Sequence, residues 1–209
     1  MTGDASMGDG LPGACLGKRA GVDPTFDEIK ETMRRSAAAL RDADVPYALG
    51  GSVAAWARGG PQTCNDLDFV VPAADAQRAQ DALAALGMRP ERPPEDWLLK
   101  VHDGPVLVDL IFELSGVDVP SALNRAELLS VAAIDMPVLA LEDVLTAKLL
   151  AFNDHYLDFT GPLQIVRALR EQLDVAALER ATAGSPYARA FLTLCEELAL
   201  ATRDARAAR

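Results

Sequence analysis

Cysteine and histidine are scarce in this chain, which has three cysteines and two histidines among 209 residues. Cys15, Cys64 and Cys195 are far apart and form no Cys-x-x-Cys pair, so neither a disulfide framework nor a zinc cage is indicated. His102 and His155 are not spaced as a catalytic pair, and we expect His102 to lie in a turn. These absences exclude thiol and triad chemistry as first hypotheses.

Long apolar runs are also missing. No stretch approaches the roughly 20 apolar residues that a membrane helix requires. The first residues, MTGDASMGDGLPG, have neither a basic region nor an apolar region of the kind found in secretion signals. We therefore expect a cytoplasmic protein without a membrane partner.

Positive charge is in deficit, because 20 Lys and Arg face 31 Asp and Glu, for a net charge of −11. A protein that coats nucleic acid through bulk electrostatics is thereby disfavoured, although a local basic groove is not. For an RNA substrate we expect a local basic surface, with these candidates: Lys100, Lys148, Arg167, Arg170, Arg180 and Arg189.

The order of the apolar patterns predicts an α/β (α+β) fold with a mixed sheet, followed by helices. Residues 1–22 are predicted to be a flexible tail, 23–135 an α/β domain and 136–209 a helical domain. Helices are predicted from Asp23 as N-cap to residue 40 and over 52–58, 73–86, 141–152, 163–173, 175–183 and 187–202. Strands are predicted over 47–49, 67–71, 97–101, 106–114 and 131–134, with a short extended piece over 137–139.

The turn Gly50-Gly51-Ser52 lies between a predicted strand and a predicted helix. Two glycines let the backbone approach a triphosphate closely, and the serine adds a hydroxyl at the positive end of the helix. By itself the pattern is equally compatible with an ordinary tight turn.

Three aspartates carry the stronger signal. In Asp66-Leu67-Asp68 the period of two places both carboxylates on one face of a strand, where they repel unless a cation lies between them. Asp109 interrupts the apolar run 106–112, where an unpaired charge would be costly. If the two strands are neighbours, all three carboxylates can hold Mg²⁺, with Mn²⁺ as an alternative. Without a metal ion, the first pair would be a solvated strand end and Asp109 would pair with an arginine.

A Gly-Gly-Ser turn, then Asp-x-Asp, then a third aspartate on a later strand resembles the motif of the DNA-polymerase-β-type nucleotidyltransferase superfamily. From about Val45 onward the chain is more specifically similar to the AbiEii/MenT-like nucleotidyltransferases of actinobacteria, many of which are toxins of toxin–antitoxin pairs. The phrases that carry this resemblance are residues 57–61, 97–100, 108–112, 146–150, 155–159 and 167–172.

The resemblance implies an NTP bound between the two domains and a set of residues that bind it. Asp66, Asp68 and Asp109 would be the metal ligands and catalytic residues, Gly50, Gly51 and Ser52 would bind the NTP, Lys148 would contact the triphosphate and take part in catalysis, and Asp158 would also bind the NTP. One departure is that Cys64 stands where many relatives have Ser or Thr, with Thr63 one residue earlier.

The leading hypothesis is a Mg²⁺-dependent nucleotidyltransferase that adds nucleotides to the 3′ end of tRNA, in the acceptor stem, and acts as a toxin with a cognate antitoxin protein as partner. An alternative acceptor is a small molecule of the aminoglycoside kind or a protein hydroxyl. A hypothesis of another class is an inactive nucleotidyltransferase-fold binding module, against which the three retained aspartates argue.

Overall fold

The computed structural model describes residues 24–63 and 66–200. The predicted tail 1–22, the predicted N-cap Asp23, and the cysteines Cys15 and Cys64 lie outside these ranges. Within them, no helix is long and apolar enough to cross a bilayer.

Seven strands form one mixed sheet. They are β1 (Ala48–Leu49), β2 (Leu67–Val70), β3 (Arg89–Glu91), β4 (Leu98–Asp103), β5 (Val106–Ile111), β6 (Glu127–Val131) and β7 (Ile134–Val138). Their order across the sheet is β3-β4-β5-β2-β1-β7-β6. The pairs β2 with β5 and β1 with β7 are parallel, and the other neighbours are antiparallel. The α/β fold class with a mixed sheet is therefore confirmed.

Eight α-helices accompany the sheet within the described ranges. They are α1 (Phe26–Asp42), α2 (Gly51–Ala57), α3 (Ala76–Ala85), α4 (Val119–Arg125), α5 (Leu141–Leu150), α6 (Thr160–Leu169), α7 (Val175–Thr182) and α8 (Pro186–Glu197). Helix α1 begins with a capping box, in which Thr25 is the N-cap and exchanges hydrogen bonds with Glu28.

Several predicted elements are corrected by the structure. The strand predicted over 131–134 is wrong, because Ala132 and Ala133 form the turn of the β6–β7 hairpin. Strand β3 and helix α4 were not predicted, since Pro90 and Pro120 interrupt the patterns that would indicate them. His102 is not in a turn but in strand β4, because the hairpin pairing continues to Asp103.

Two hydrophobic cores share two helices. Helices α1 and α3 cover one face of the sheet, and Leu40, Leu83 and Phe69 belong to this core. Helices α5 to α8 build a second core, which includes Leu145 and Phe191.

Helices α2 and α5 contribute to both cores. Ala54 and Val144 lie in the core at the sheet, whereas their neighbours Ala55 and Leu145 lie in the helical core. The sheet itself extends to Val138, beyond the boundary predicted at residue 135. The division into two domains stays a prediction.

Candidate active site

Asp68 and Asp109 are register partners on the parallel strands β2 and β5. Neighbouring strands are about 4.8 Å apart, and directly paired residues project from the same face of a sheet. The two carboxylates therefore stand side by side. Asp109 has only 9% of its surface exposed, and Asp66 lies just before β2, partly buried.

The site lies on the face of the sheet away from α1. Asp103 accepts hydrogen bonds from Thr32 Oγ1 at 2.8 Å and from Arg35 Nη1 at 2.9 Å, which fixes its side of β4 against α1. Lys100 differs from Asp103 by an odd number of positions and therefore projects from the opposite face. It is directly paired with Asp109, so the aspartates share that face.

The electrostatics of Asp68 show how crowded this face is. Burial, Asp109 and Asp66 raise the pKa of Asp68 to about 7, whereas Lys148 and Lys100 act in the opposite direction. Desolvation is the largest cause, and the charge of Asp109 comes next. A carboxyl group with this environment binds a proton or a metal ion readily at neutral pH.

The predicted Gly-Gly-Ser turn packs directly against Asp68. Gly50 N–H donates a 2.8 Å hydrogen bond to the backbone oxygen of Asp68. Gly51 has a φ of +57°, and a Cβ atom at this position would overlap the Asp68 carboxylate. No residue with a side chain can replace Gly51 without moving Asp68.

Lys148, on helix α5, contacts this turn. Its Nζ donates a 3.2 Å hydrogen bond to Ser52 Oγ, at the start of α2. The ammonium group is also close enough to Asp68 to lower that pKa. The structure thus brings Gly50, Gly51 and Ser52 together with Asp68, Asp109 and Lys148, and it places Asp66 near enough to raise the pKa of Asp68.

Lys100 belongs to the same cluster, although its sequence context indicated only a place on a basic surface. Its Nζ donates to both Asp109 oxygens, at 3.1 and 3.4 Å. The side chains of Lys100 and Asp109 are only 16% and 12% exposed. The two turn residues of this hairpin are Gly104 and Pro105, and this register places Lys100 opposite Asp109. A turn centred on Asp103-Gly104 would have placed Leu98 there, so the sequence pattern alone does not identify Lys100.

The candidate residue Asp158 and the nearby His155 take no part in these contacts. Asp158 is exposed and accepts a 2.9 Å hydrogen bond from Thr160 N–H at the start of α6. The Thr160 side chain, and after it this backbone hydrogen bond, lowers the pKa of Asp158. His155 is exposed, and its backbone N–H donates to Asn153. The NTP-binding role of Asp158 stays a prediction.

The chemistry of the donor set fits a magnesium ion. Across the described ranges, no group of three or more Asp, Glu, His or Cys side chains forms a ready metal-binding cluster. Mg²⁺ does not require one, because it keeps several waters and is usually held by one or two carboxylates together with substrate phosphates. The raised pKa of Asp68, caused in part by Asp109 and Asp66, marks the place where a cation would relieve repulsion.

Cysteine chemistry has no support in the described part of the chain. Burial raises the pKa of the Cys195 thiol to about 11. A thiol in this environment is not a nucleophile at neutral pH.

The fold of this chain is similar to the folds of several solved structures. The solution structure of the antibiotic-resistance factor ANT(2'')-Ia is similar, with a TM-score of 0.61 and 16% identity over 84% of this chain and 98% of that one. The crystal structure of ANT(2'')-Ia with adenylyl-2''-tobramycin gives a TM-score of 0.60 and 16% identity, covering 77% and 97%.

A third similar structure is TM1012 of Thermotoga maritima, for which nucleotidyltransferase activity has been suggested. Its TM-score is 0.50 at 15% identity, covering 69% of this chain and 92% of that one. No protein-family model and no curated protein match the sequence. At these identities the similarity establishes the fold, and the activity has to be argued from the site.

Proposed function

We propose that this protein is a nucleotidyltransferase that transfers a nucleoside monophosphate from an NTP to a hydroxyl group. The observation that carries the proposal is the pairing of Asp68 with Asp109 directly beside the Gly50-Gly51-Ser52 turn. The new bond joins the acceptor oxygen to the α-phosphorus. The bond from that phosphorus to the bridging oxygen breaks, pyrophosphate leaves, and the hydroxyl proton is released.

Asp66, Asp68 and Asp109 are the residues that would hold Mg²⁺. The ion supplies charge neutralisation at the phosphates and activation of the acceptor hydroxyl. The carboxylates are already held in place before the ion arrives, Asp68 by strand pairing and the Gly51 contact, and Asp109 by Lys100.

The triphosphate would be bound by the Lys148 ammonium and the Ser52 hydroxyl. Lys148 and Ser52 are hydrogen-bonded to each other beside the carboxylates, so an ammonium and a hydroxyl are available to phosphate oxygens at one place. The backbone of Gly50 and Gly51 allows close approach, because neither residue has a side chain. Asp158 would bind the nucleotide only if the loop before α6 reaches it.

For the acceptor we propose the 3′ hydroxyl of tRNA, with the protein acting as the toxin of a toxin–antitoxin pair. This proposal rests on the resemblance of the phrases after Val45 to the AbiEii/MenT-like family. Of the six basic residues expected at an RNA surface, Lys100 and Lys148 are in the site, and four arginines on α6 to α8 or next to them are exposed: Arg167, Arg170, Arg180 and Arg189.

A second candidate acceptor is a polycationic small molecule. The specific observation in its favour is that the chain covers 98% of ANT(2'')-Ia, a structure of which has been solved with adenylyl-2''-tobramycin. The net charge of −11 would attract a cationic acceptor.

Label transfer from each of the four α-³²P NTPs separates these acceptors. The purified protein is incubated with Mg²⁺ and either total tRNA or tobramycin, beside Asp68→Asn and the control Asp135→Asn, an exposed strand aspartate of the same sheet. We expect transfer that falls at least about 100-fold in Asp68→Asn and is unchanged in Asp135→Asn. Label on tRNA supports the toxin, and label on tobramycin supports the second candidate. Transfer that survives Asp68→Asn would refute the assignment of the site.

A further inference from the structure

Lys100 forms part of a row of charged side chains that crosses four strands. The register pairs Glu91 with Lys100, Lys100 with Asp109, and Asp109 with Asp68. Glu91 is hydrogen-bonded to His102 Nε2 at 2.7 Å. The Lys100 ammonium donates instead to Asp109, on its other side in the sheet. A lysine directed at one of the paired carboxylates changes how many cations the site needs.

We propose that the Lys100 ammonium takes the place of a second divalent cation, so that this site binds one metal ion rather than two. The inference rests on the nucleotidyltransferase function proposed above. Lys100 is then a positioning residue, which acts through Asp109 and does not touch the reacting atoms.

Charge balance supports one ion. Asp66, Asp68 and Asp109 together carry three negative charges, which one divalent cation and the Lys100 ammonium balance. Both Asp109 oxygens lie within 3.4 Å of Lys100 Nζ, so a second cation at Asp109 would have to displace the ammonium. The two groups are largely buried, and the repulsion between an ammonium and a divalent ion is strong where water is excluded.

The second lysine of the site does not fill this place. Lys148 Nζ is hydrogen-bonded to Ser52 Oγ, on the side of the Gly-Gly-Ser turn, and is the group proposed to meet the triphosphate. The two lysines therefore have different partners, one a carboxylate and the other a hydroxyl. Only Lys100 is expected to alter the number of bound metal ions.

Equilibrium dialysis of the full chain against ⁵⁴Mn²⁺, with and without α,β-methylene-ATP, counts the bound ions. We expect one Mn²⁺ per chain for the wild type. Lys100→Met, which keeps the length of the side chain and removes its charge, is expected to bind two. Lys100→Arg should restore the count of one, because its guanidinium can still pair with Asp109. Lys30→Met, at a surface lysine paired with Asp27, is the matched control and should behave as the wild type.

Thermal melting gives a second readout on the same variants. In EDTA, Lys100→Met should melt below the wild type, because Asp109 loses its cation, and saturating Mn²⁺ should raise its melting temperature more than that of the wild type. A purely structural role for Lys100 would lower the melting temperature without changing the count of bound ions.

Two bound Mn²⁺ on the wild type would overturn the role of Lys100 and leave the nucleotidyltransferase proposal standing. An unchanged count in Lys100→Met, together with weaker α,β-methylene-ATP binding, would also overturn it, since Lys100 would then be a phosphate ligand. No Mn²⁺ on the wild type in either condition would overturn both proposals. If Lys100→Met does not fold, a wild-type count of two ions still overturns the proposal.

Discussion

The Asp68 carboxyl group keeps its proton to near-neutral pH, because burial and the adjacent Asp109 raise its pKa to about 7 from a usual 3.8. The folded protein therefore binds this proton more tightly than the unfolded chain. The stability that the proton contributes is fully present below the unfolded pKa and is lost as pH rises through about 7. Without metal, the folded state is thus destabilised at alkaline pH by this group.

Replacing Asp68 by Asn removes that penalty together with the carboxylate that we propose to be catalytic. We expect Asp68→Asn to melt at a higher temperature than the wild type at pH 8 in EDTA, with little difference at pH 5, and to lose transfer activity. The measurement is melting temperature against pH for both proteins. A variant that melts lower at pH 8 in EDTA would show that the carboxylate is stabilised by its surroundings, contrary to the direction of its pKa.

Ser36 is a second residue whose polar group is in an unfavourable place. It is fully buried in α1, and within the described structure its hydroxyl has no hydrogen-bond partner. We expect Ser36→Ala to stabilise the protein by about 1 kcal/mol, because it removes an unsatisfied hydroxyl and improves helix propensity. Urea denaturation measures this change.

Thr32, one turn earlier on the same helix, is the matched control for Ser36. Its hydroxyl donates to Asp103 at 2.8 Å, so Thr32→Val should destabilise the protein instead. Equal destabilisation by both substitutions would mean that the Ser36 hydroxyl is satisfied in solution.

Most of the cluster around Asp68 could be predicted from the sequence, because glycines before a helix and alternating aspartates are local patterns. The partner of Asp109 could not be named from composition, since any cation would serve, and an arginine fitted the sequence as well as a lysine. Only the register of the β4–β5 hairpin selects Lys100. For Asp158 the sequence could not distinguish two roles, because an aspartate that accepts a hydrogen bond at a helix start and one that binds a ligand have the same sequence pattern.

At the scale of elements, the hairpin of β6 and β7 turns through two residues with unusual backbone angles. Ala132 and Ala133 have φ values of 48° and 67°, as a type I′ turn requires. Alanine is strained in this region, whereas glycine is not. The sequence did not reveal this turn, because it lacks the Asn-Gly or Asp-Gly signature, and a strand was predicted across it.

The strain at this turn can be relieved by one substitution. We expect Ala133→Gly to stabilise the protein by about 0.5–1 kcal/mol, which raises the melting temperature by roughly 2 °C. The same change at Ala82, inside α3, should cost about 1 kcal/mol, because glycine is a poor helix former. Differential scanning calorimetry compares the two, and a loss of stability in Ala133→Gly would contradict the type I′ assignment.

At the scale of the whole molecule, helices α2 and α5 connect the two hydrophobic cores, because each contributes residues to both. On α5, Val144 packs in the core at the sheet and the adjacent Leu145 in the helical core. An element shared in this way couples the two cores, so we infer that they unfold together. The apolar periodicity of residues 141–152 predicted the helix but could not show that its two apolar faces serve different cores.

Substitutions of these two neighbours test the coupling. We expect Val144→Ala and Leu145→Ala each to lower the temperature of a single melting transition. Leu145→Ala should reduce the free energy of unfolding by about 2–5 kcal/mol, and Val144→Ala by less, because fewer buried atoms are lost. Calorimetry shows whether the transition stays single. Two separated transitions in Leu145→Ala would mean that the helical core is an independent folding unit.

The contact between Gly51 and Asp68 also has a genetic consequence. Any missense change of a glycine codon introduces a Cβ atom, and at Gly51 that atom would overlap the carboxylate. In a library of random point mutants selected for loss of activity, codon 51 should therefore give null alleles with every amino acid. Codons 161 and 184, where a Cβ atom would have no neighbour within 4 Å and the backbone φ is not positive, should give at most mild alleles.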